Sequence, residues 1–316
     1  MRMNFKTAFG LALGMFLVLT TTAPVQAQPM PGMAPTSRLL GLYPPVGLPI
    51  VPVFEGAYEN ADGSVTYSFG FLNRSNTEPV DIPLGVNNRV EPAQFNGVQP
   101  GFFPPGRHAG VFTVTVPASM RDGEVWWHIK TGEHEELKVP GRRGRLGYTL
   151  DKDPRPAGSV APLVSFTEGG PQGQDPGGIT ADSPINVRAG TPVTLTIHAH
   201  DPSIRDMTDT RNVRGIPVRI TWFKHQGPGA VTFERHPSSE PPLELTELQI
   251  SRGATPPGPE QTRISSGSGN ASVMATFSQP GEYVIRTMAD NWSAMDSQQG
   301  DQCCWTNAYQ RVIVTP

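Results

Sequence analysis

The chain has 316 residues, a formal net charge of −3 and no block of Lys or Arg, so it carries no electrostatic footprint for nucleic acid. Its 34 Gly and 34 Pro favour many short strands joined by turns, and helix-period runs are scarce. The fold class expected is all-β, with length enough for two domains.

Arg2 and Lys6 precede an apolar run over residues 8–19, and Val25-Gln26-Ala27 supplies small residues at a cleavage site. This pattern predicts a signal peptide over residues 1–27, cut after Ala27. A bilayer span takes about 20 apolar residues, so the run is too short for a transmembrane anchor. No Cys lies near the cleavage site to take a lipid. The expected location is periplasmic or extracellular. Residues 28–50 form a Pro-rich arm; Met30 and Met33 within it invite a copper reading, but no His accompanies them, and an extended tail is the plainer reading.

Strand signals begin at Val51. Residues 53–58 and 64–71 flank Asn60-Ala61-Asp62-Gly63, a hairpin turn, and Val65, Tyr67 and Phe69 alternate with Ser and Thr to give one buried face. Further strands are expected at 80–84, 110–116, 124–130 and 135–139. Residues 51–150 therefore read as a first β-sandwich domain. Breakers dominate 151–184, which reads as a Pro/Gly-rich linker, with a short strand at 160–166 belonging to either neighbour. From 185 to 316 a second sandwich is expected, with strands at 193–200, 218–223, 231–233, 271–277, 283–288 and 309–315. The last two form a hairpin with a long loop holding Asn291, Trp292, Cys303 and Cys304.

The series Ala189-Gly-Thr-Pro-Val-Thr-Leu195, His200-Asp-Pro202, Thr221-Trp222, Pro280-Gly-Glu-Tyr283 and Ala289-Asp290 resembles a PKD-type sandwich over residues 185–316. The resemblance implies an immunoglobulin-like fold, common in bacterial extracellular proteins. Two departures stand out, the turn Phe223-Lys-His-Gln-Gly-Pro-Gly229 and the Cys-bearing loop before the last strand. The whole chain also resembles exported bacterial proteins of uncharacterised role that carry a Cys-Cys-Trp-Thr-Asn segment. Together these lead to two immunoglobulin-like β-sandwich domains joined by a linker.

Several side chains invite chemistry. His198 and His200 stand two apart on a strand and share one face; with Asp201 or His225 as third ligand they suit Zn or Cu, the alternative being solvated surface histidines. Asp201, Asp206, Asp209 and Asp290 sit in loops that a sandwich can gather for Ca²⁺, or they cap those loops. Glu133, His134, Glu135 and Glu136 cluster at a turn, where solvated charge is the ordinary explanation. Trp126 and Trp127 are adjacent, so one faces inward and one outward; the outward ring, or Trp305, offers a stacking surface for a sugar or is covered between domains.

Cys304-Trp305 resembles the papain-type nucleophile segment, yet the last histidine, His236, lies upstream rather than downstream. No Gly-x-Ser-x-Gly, phosphate loop or His-Glu-x-x-His occurs. Cys303 and Cys304 are the only cysteines, and export favours their oxidation, as a vicinal disulfide or a bond to another molecule; buried thiols are the third option. The function expected is an exported, non-enzymatic binding or structural module without a cofactor, whose partner is an envelope protein or polysaccharide. The alternative is an accessory protein that binds metal (Ca, Zn or Cu) or carbohydrate.

Overall fold

In the computed structural model, residues 47–316 are described, except 76, 213–214, 243 and 252–255. The segment expected to be a signal peptide, the expected arm up to residue 46 and the Met30/Met33 pair lie outside the described residues. The strands of the first lobe are β1 (Val51–Glu59), β2 (Val65–Asn73), β3 (Val80–Asp81), β4 (Asn88–Glu91), β5 (Phe102–Phe103), β6 (Gly106–Val116), β7 (Val125–Ile129) and β8 (Leu137–Gly141). One sheet has the order β1-β2-β6 and the other β4-β7-β8, with β3 and β5 as a separate ribbon. The β1–β2 turn closes as its residues dictate: Gly63 N donates to Asn60 O at 2.9 Å, and Asp62 Oδ1 accepts from Ser64 N at 3.0 Å.

Alternation on β2 sends Val65, Tyr67, Phe69 and Phe71 into the core between these sheets. Phe69 stacks on Phe112 with centroids 5.1 Å apart, and Phe112 meets Trp127 edge-on at 4.9 Å. Trp127 needs a partner for its N–H in this apolar setting, and Asn88 Oδ1 accepts it at 3.1 Å. Asn88 Nδ2 in turn donates to the carbonyls of Ile82 and Pro100. A buried Asn with these bonds made is a fixed corner rather than a defect.

The second lobe comprises β9 (Leu163–Ser165), β10 (Ile179–Thr180), β11 (Ile185–Arg188), β12 (Val193–His200), β13 (Val218–Gln226), β14 (Val231–Arg235), a one-turn helix α1 (Glu247–Ser251), β15 (Gln261–Ile264), β16 (Ser268–Phe277), β17 (Gly281–Asp290) and β18 (Trp305–Thr315). Its sheets run β14-β16-β12-β9 and β10-β18-β17-β13-β15, with β11 also parallel to β18. Read as A-B-E-D facing C-F-G, the orders β9-β12-β16-β14 and β13-β17-β18 are immunoglobulin-like. Here β15 extends the free edge of β13. Between the sheets lie Leu195, Ile197, Ile220, Trp222, Val273, Phe277 and Ile285, with Trp222 at 1% exposure. The protein is an all-β assembly of sandwich-like sheets.

Residues 151–184, expected to be a linker, carry hydrogen-bonded strands. β9 pairs antiparallel with β12, and β10 lies parallel to β18. Gln174 Nε2 donates to Ala161 O, and Asn307 Nδ2 donates to Pro176 O. Breaker residues bend this segment without freeing it, because its backbone groups find partners along the second lobe. The described residues fall within one compact unit, Pro44–Pro316.

The lobes meet on the face of the second lobe's larger sheet that points away from its own core. There Trp305 Nε1 and Asn307 Nδ2 both donate to Gly110 O, at 3.3 and 2.8 Å, and Tyr309 OH donates to Val111 O at 2.9 Å. Lys224 Nζ reaches Asp81 at 2.9 Å, while the neutral ring of His225 donates from Nε2 to Val98 O at 2.9 Å. Each such bond nets only about 1 kcal/mol, but leaving a buried donor unmatched costs about 1–3 kcal/mol, so these bonds fix register more than they add stability. Gly110 allows the approach: its φ is +56°, and an added Cβ would sit 2.2 Å from Trp305 Nε1. No helix among the described residues is long and apolar enough to cross a membrane.

Candidate functional site

The loop between β17 and β18, neighbouring strands of the second lobe, is tied down at both ends. Asp290 Oδ1 accepts from Trp292 N at 3.1 Å, and Trp292 Nε1 donates to Cys303 O at 3.1 Å. Asn291 Nδ2 donates to Val160 O at 2.9 Å and to Asp201 Oδ1 at 3.1 Å. Arg219 of β13 donates from Nε to Asp290 Oδ2 at 3.0 Å, and its Cζ lies 5.5 Å from the Trp292 ring centroid. Burial pushes the Asp290 carboxyl up, and Arg219 opposes that shift. The half-buried Trp292 ring is thus clamped from two sides.

A cleft of about 610 Å³ has Trp292 in its lining. Its polar rim includes Arg235, Glu240, Gln261 and Arg263, and its walls include Pro241 and Pro257. Arg263 pairs with Glu240 at 3.3 Å, and Arg235 is held by the carbonyls of Glu240 and Gly258. A smaller crevice of about 200 Å³ shares Arg219, Glu260, Gln261 and Trp292 with the cleft and runs inward between the lobes to His108 and Arg286. A lining that combines an aromatic ring with charged and amide side chains suits a ligand that is both ring-shaped and rich in hydroxyls.

The residues singled out from sequence are placed variously. His198 and His200 share the outward face of β12; His198 Nδ1 is bonded to Asn270 Oδ1 at 2.9 Å, and His200 is exposed. Asp201 is turned to Arg205 at 2.7 Å and to Ser203, so its carboxylate is already engaged. Asp206 is bonded to Thr208 and Asp209 to Arg211, each within its own turn. Among the described residues, no three of His, Cys, Asp and Glu stand together as a ligand group. His225, weighed as a third ligand, lies buried in the seam.

Trp127 is in the first core, and Trp126 faces outward, half-buried, with Lys138 Nζ 5.0 Å from its ring. Trp305 is buried at 1% exposure, 6.0 Å from Trp292. Glu136 is bonded to Arg89 and His128, which hold its carboxyl at about 2, the arginine contributing most. Cys303 and Cys304 are joined by a disulfide with Cα atoms 3.7 Å apart, both at 2% exposure. Cys304 has φ 84°, a left-handed conformation that costs an L-residue roughly 1–2 kcal/mol. The pair forms a rigid link under Trp292, since Cys303 O is the acceptor for the indole.

Trp292, Arg219 and Arg286 were not among the residues singled out. A signal existed: on β17, Arg286, Met288 and Asp290 alternate with the core residues Tyr283, Ile285 and Ala289. Reading that polar face as a site requires knowing that a second lobe covers it.

No family model matches the chain, and no curated protein does. Among solved structures, the D00-D0 domain of Intimin superposes with TM-score 0.25 at 12% identity, over 84% of this chain and 100% of that one. The D0-D1 domain of Intimin gives 0.23 at 13% identity, over 84% and 97%. The native conformation of E. coli alpha-2-macroglobulin gives 0.21 at 11% identity, over 84% of this chain and 16% of that one. Scores of this size carry no argument about fold or role, and the immunoglobulin-like order rests on the strand pairing alone.

Proposed function

We propose that the chain is an exported, non-enzymatic module that binds an envelope polysaccharide, its second lobe a PKD-type domain and its ligand seat the cleft over Trp292. The observation that carries this reading is the firmly held Trp292 ring in the lining of an open cleft, beside Arg, Glu and Gln side chains. Sugar rings stack on such a surface through their C–H faces while their hydroxyls meet the rim.

The test is a panel of envelope and cell-wall oligosaccharides titrated into residues 28–316 by calorimetry. Trp292→Ala is expected to weaken binding about tenfold or more while leaving both lobes folded. Unchanged affinity in Trp292→Ala, with native melting behaviour, would place the seat elsewhere. Loss of binding in Trp126→Ala instead would move it to the first lobe.

A further inference from the structure

Arg286 is the one feature of the seam that the contact between lobes does not account for. Its side chain is 3% exposed, yet no carboxylate among the described residues pairs with it. Nη1 donates to the neutral Asn307 Oδ1 at 3.0 Å, and Nε is buried without a partner. The guanidinium lies over the Phe223 ring, Cζ to centroid 4.3 Å, and lines the inner crevice. Burial lowers its pKa to about 10, so it remains a cation at neutral pH. A buried cation without a counter-charge is costly to hold, and folds rarely keep one without a use.

The neighbours confirm that the negative partner is not supplied from within. His108 donates from Nε2 to Pro105 O at 3.0 Å and His225 donates to Val98 O, and burial lowers their pKa values to about 4 and about 3, so both rings are neutral at pH 7. Tyr309 donates its hydroxyl to Val111 O and is pushed well above the usual phenol range by burial. Of the other nearby cations, Arg107 is matched by Glu55 at 2.6 Å and Arg219 by Asp290 at 3.0 Å. Glu260 shares the crevice, but its carboxylate oxygens lie beside Gly258, on the side of the outer cleft. The crevice continues the Trp292 cleft and carries the amide side chains of Gln261 and Gln299.

We propose that the inner crevice receives the carboxylate of a uronic acid residue, with Arg286 as its charge partner and Gln261 and Gln299 facing the hydroxyls. This rests on the cleft being a carbohydrate seat and adds the ligand's charge class. A planar guanidinium is the side chain best matched to a carboxylate, and an ion pair out of water is among the stronger polar contacts. The outer cleft then takes the neighbouring residue of the chain over Trp292.

The experiment titrates residues 28–316 with oligouronates, with their methyl esters and with neutral oligosaccharides of equal length at matched ionic strength. The expected result is binding of the free acid at least about tenfold tighter than the ester, with the preference lost in Arg286→Met. Arg286→Met also removes the uncompensated charge, so its melting temperature is expected to equal or exceed that of the unliganded wild type. Should that variant fail to fold, Arg286→Lys keeps the charge without the fork, and it is expected to weaken the acid preference. Equal affinity for acid and ester in the wild type, or an Arg286 variant that keeps the preference, overturns the proposal. Binding of neutral sugars that depends on Trp292 but not on Arg286 leaves the cleft as a seat and removes only the acid assignment. No binding of any sugar removes both.

Discussion

Single side chains decide how the two lobes are held. Trp222 fills the middle of the second core, and Trp222→Ala is expected to destabilise the protein by roughly 3–5 kcal/mol in urea unfolding, since the surrounding β-sheets cannot close over so large a void. Gly110 is a sharper test of the seam. A Cβ there meets the Trp305 indole and the backbone sits at φ +56°, so Gly110→Ala is expected to lower the melting temperature although it adds one methyl group. A melting temperature equal to wild type would show that the indole moves aside freely. For Cys303 and Cys304, the unreduced, denatured monomer is expected to take up no alkylating reagent and, after reduction, two equivalents, read by intact mass. Two alkylations before reduction would mean free thiols.

Among the elements, the strands with strong alternation were legible from sequence, and those defined by their neighbours were not. β2, β12, β13 and β17 announce themselves through β-branched and aromatic residues at every second position. β4 opens on Asn88 and Arg89, polar residues whose place in a sheet depends on Trp127 across the ladder and on carbonyls brought close by the fold. β15 is a short edge strand of the same kind, with Gln261 and Arg263 along it. The 151–184 segment misleads for another reason: its Gly and Pro residues mark bends, and composition cannot distinguish a bend laid against a sheet from a free tether. Chymotrypsin offers a check, because Leu146 and Leu248 are 93% and 58% exposed whereas Leu163 to Ser165 are paired with β12. Within residues 47–316, first cleavage is expected at Leu146 or Leu248, and a first cut within 151–184 would restore the tether. Of the candidate site, the tryptophan and cysteine content of the last loop was visible, but the cleft was not. Its walls come from segments tens of residues apart, and its cation, Arg286, reads on a lone sandwich as an ordinary solvent-facing residue.

At the scale of the whole molecule, the seam makes stability depend on pH. His225 has its pKa lowered to about 3, burial being the main cause with Arg286 adding to it, and His108 is lowered to about 4 by the same burial. Both values lie below the unfolded histidine value of about 6.5, so the unfolded chain takes up more protons in that window. Stability from these groups is therefore complete above about pH 6.5 and is lost as pH falls toward their folded values, by at most about 1.4 kcal/mol per pH unit for each ring. In urea unfolding across that range, His225→Gln is expected to flatten the acid branch, since an amide keeps a donor for Val98 O and takes up no proton. An unchanged slope would mean that the ring protonates without opening the seam. The same seam sets a temporal order. β18 runs beside β17, β10 and β11 and supplies Trp305, Asn307 and Tyr309 to the first lobe, yet it follows every other strand along the chain. Because polypeptides emerge from the ribosome amino end first, the first lobe waits for these three donors until residues 305–309 have been made. Up to that moment β13 can reach the first lobe through Lys224 and His225, but Gly110 and Val111 have no donor from the second lobe and its larger sheet lacks a middle strand.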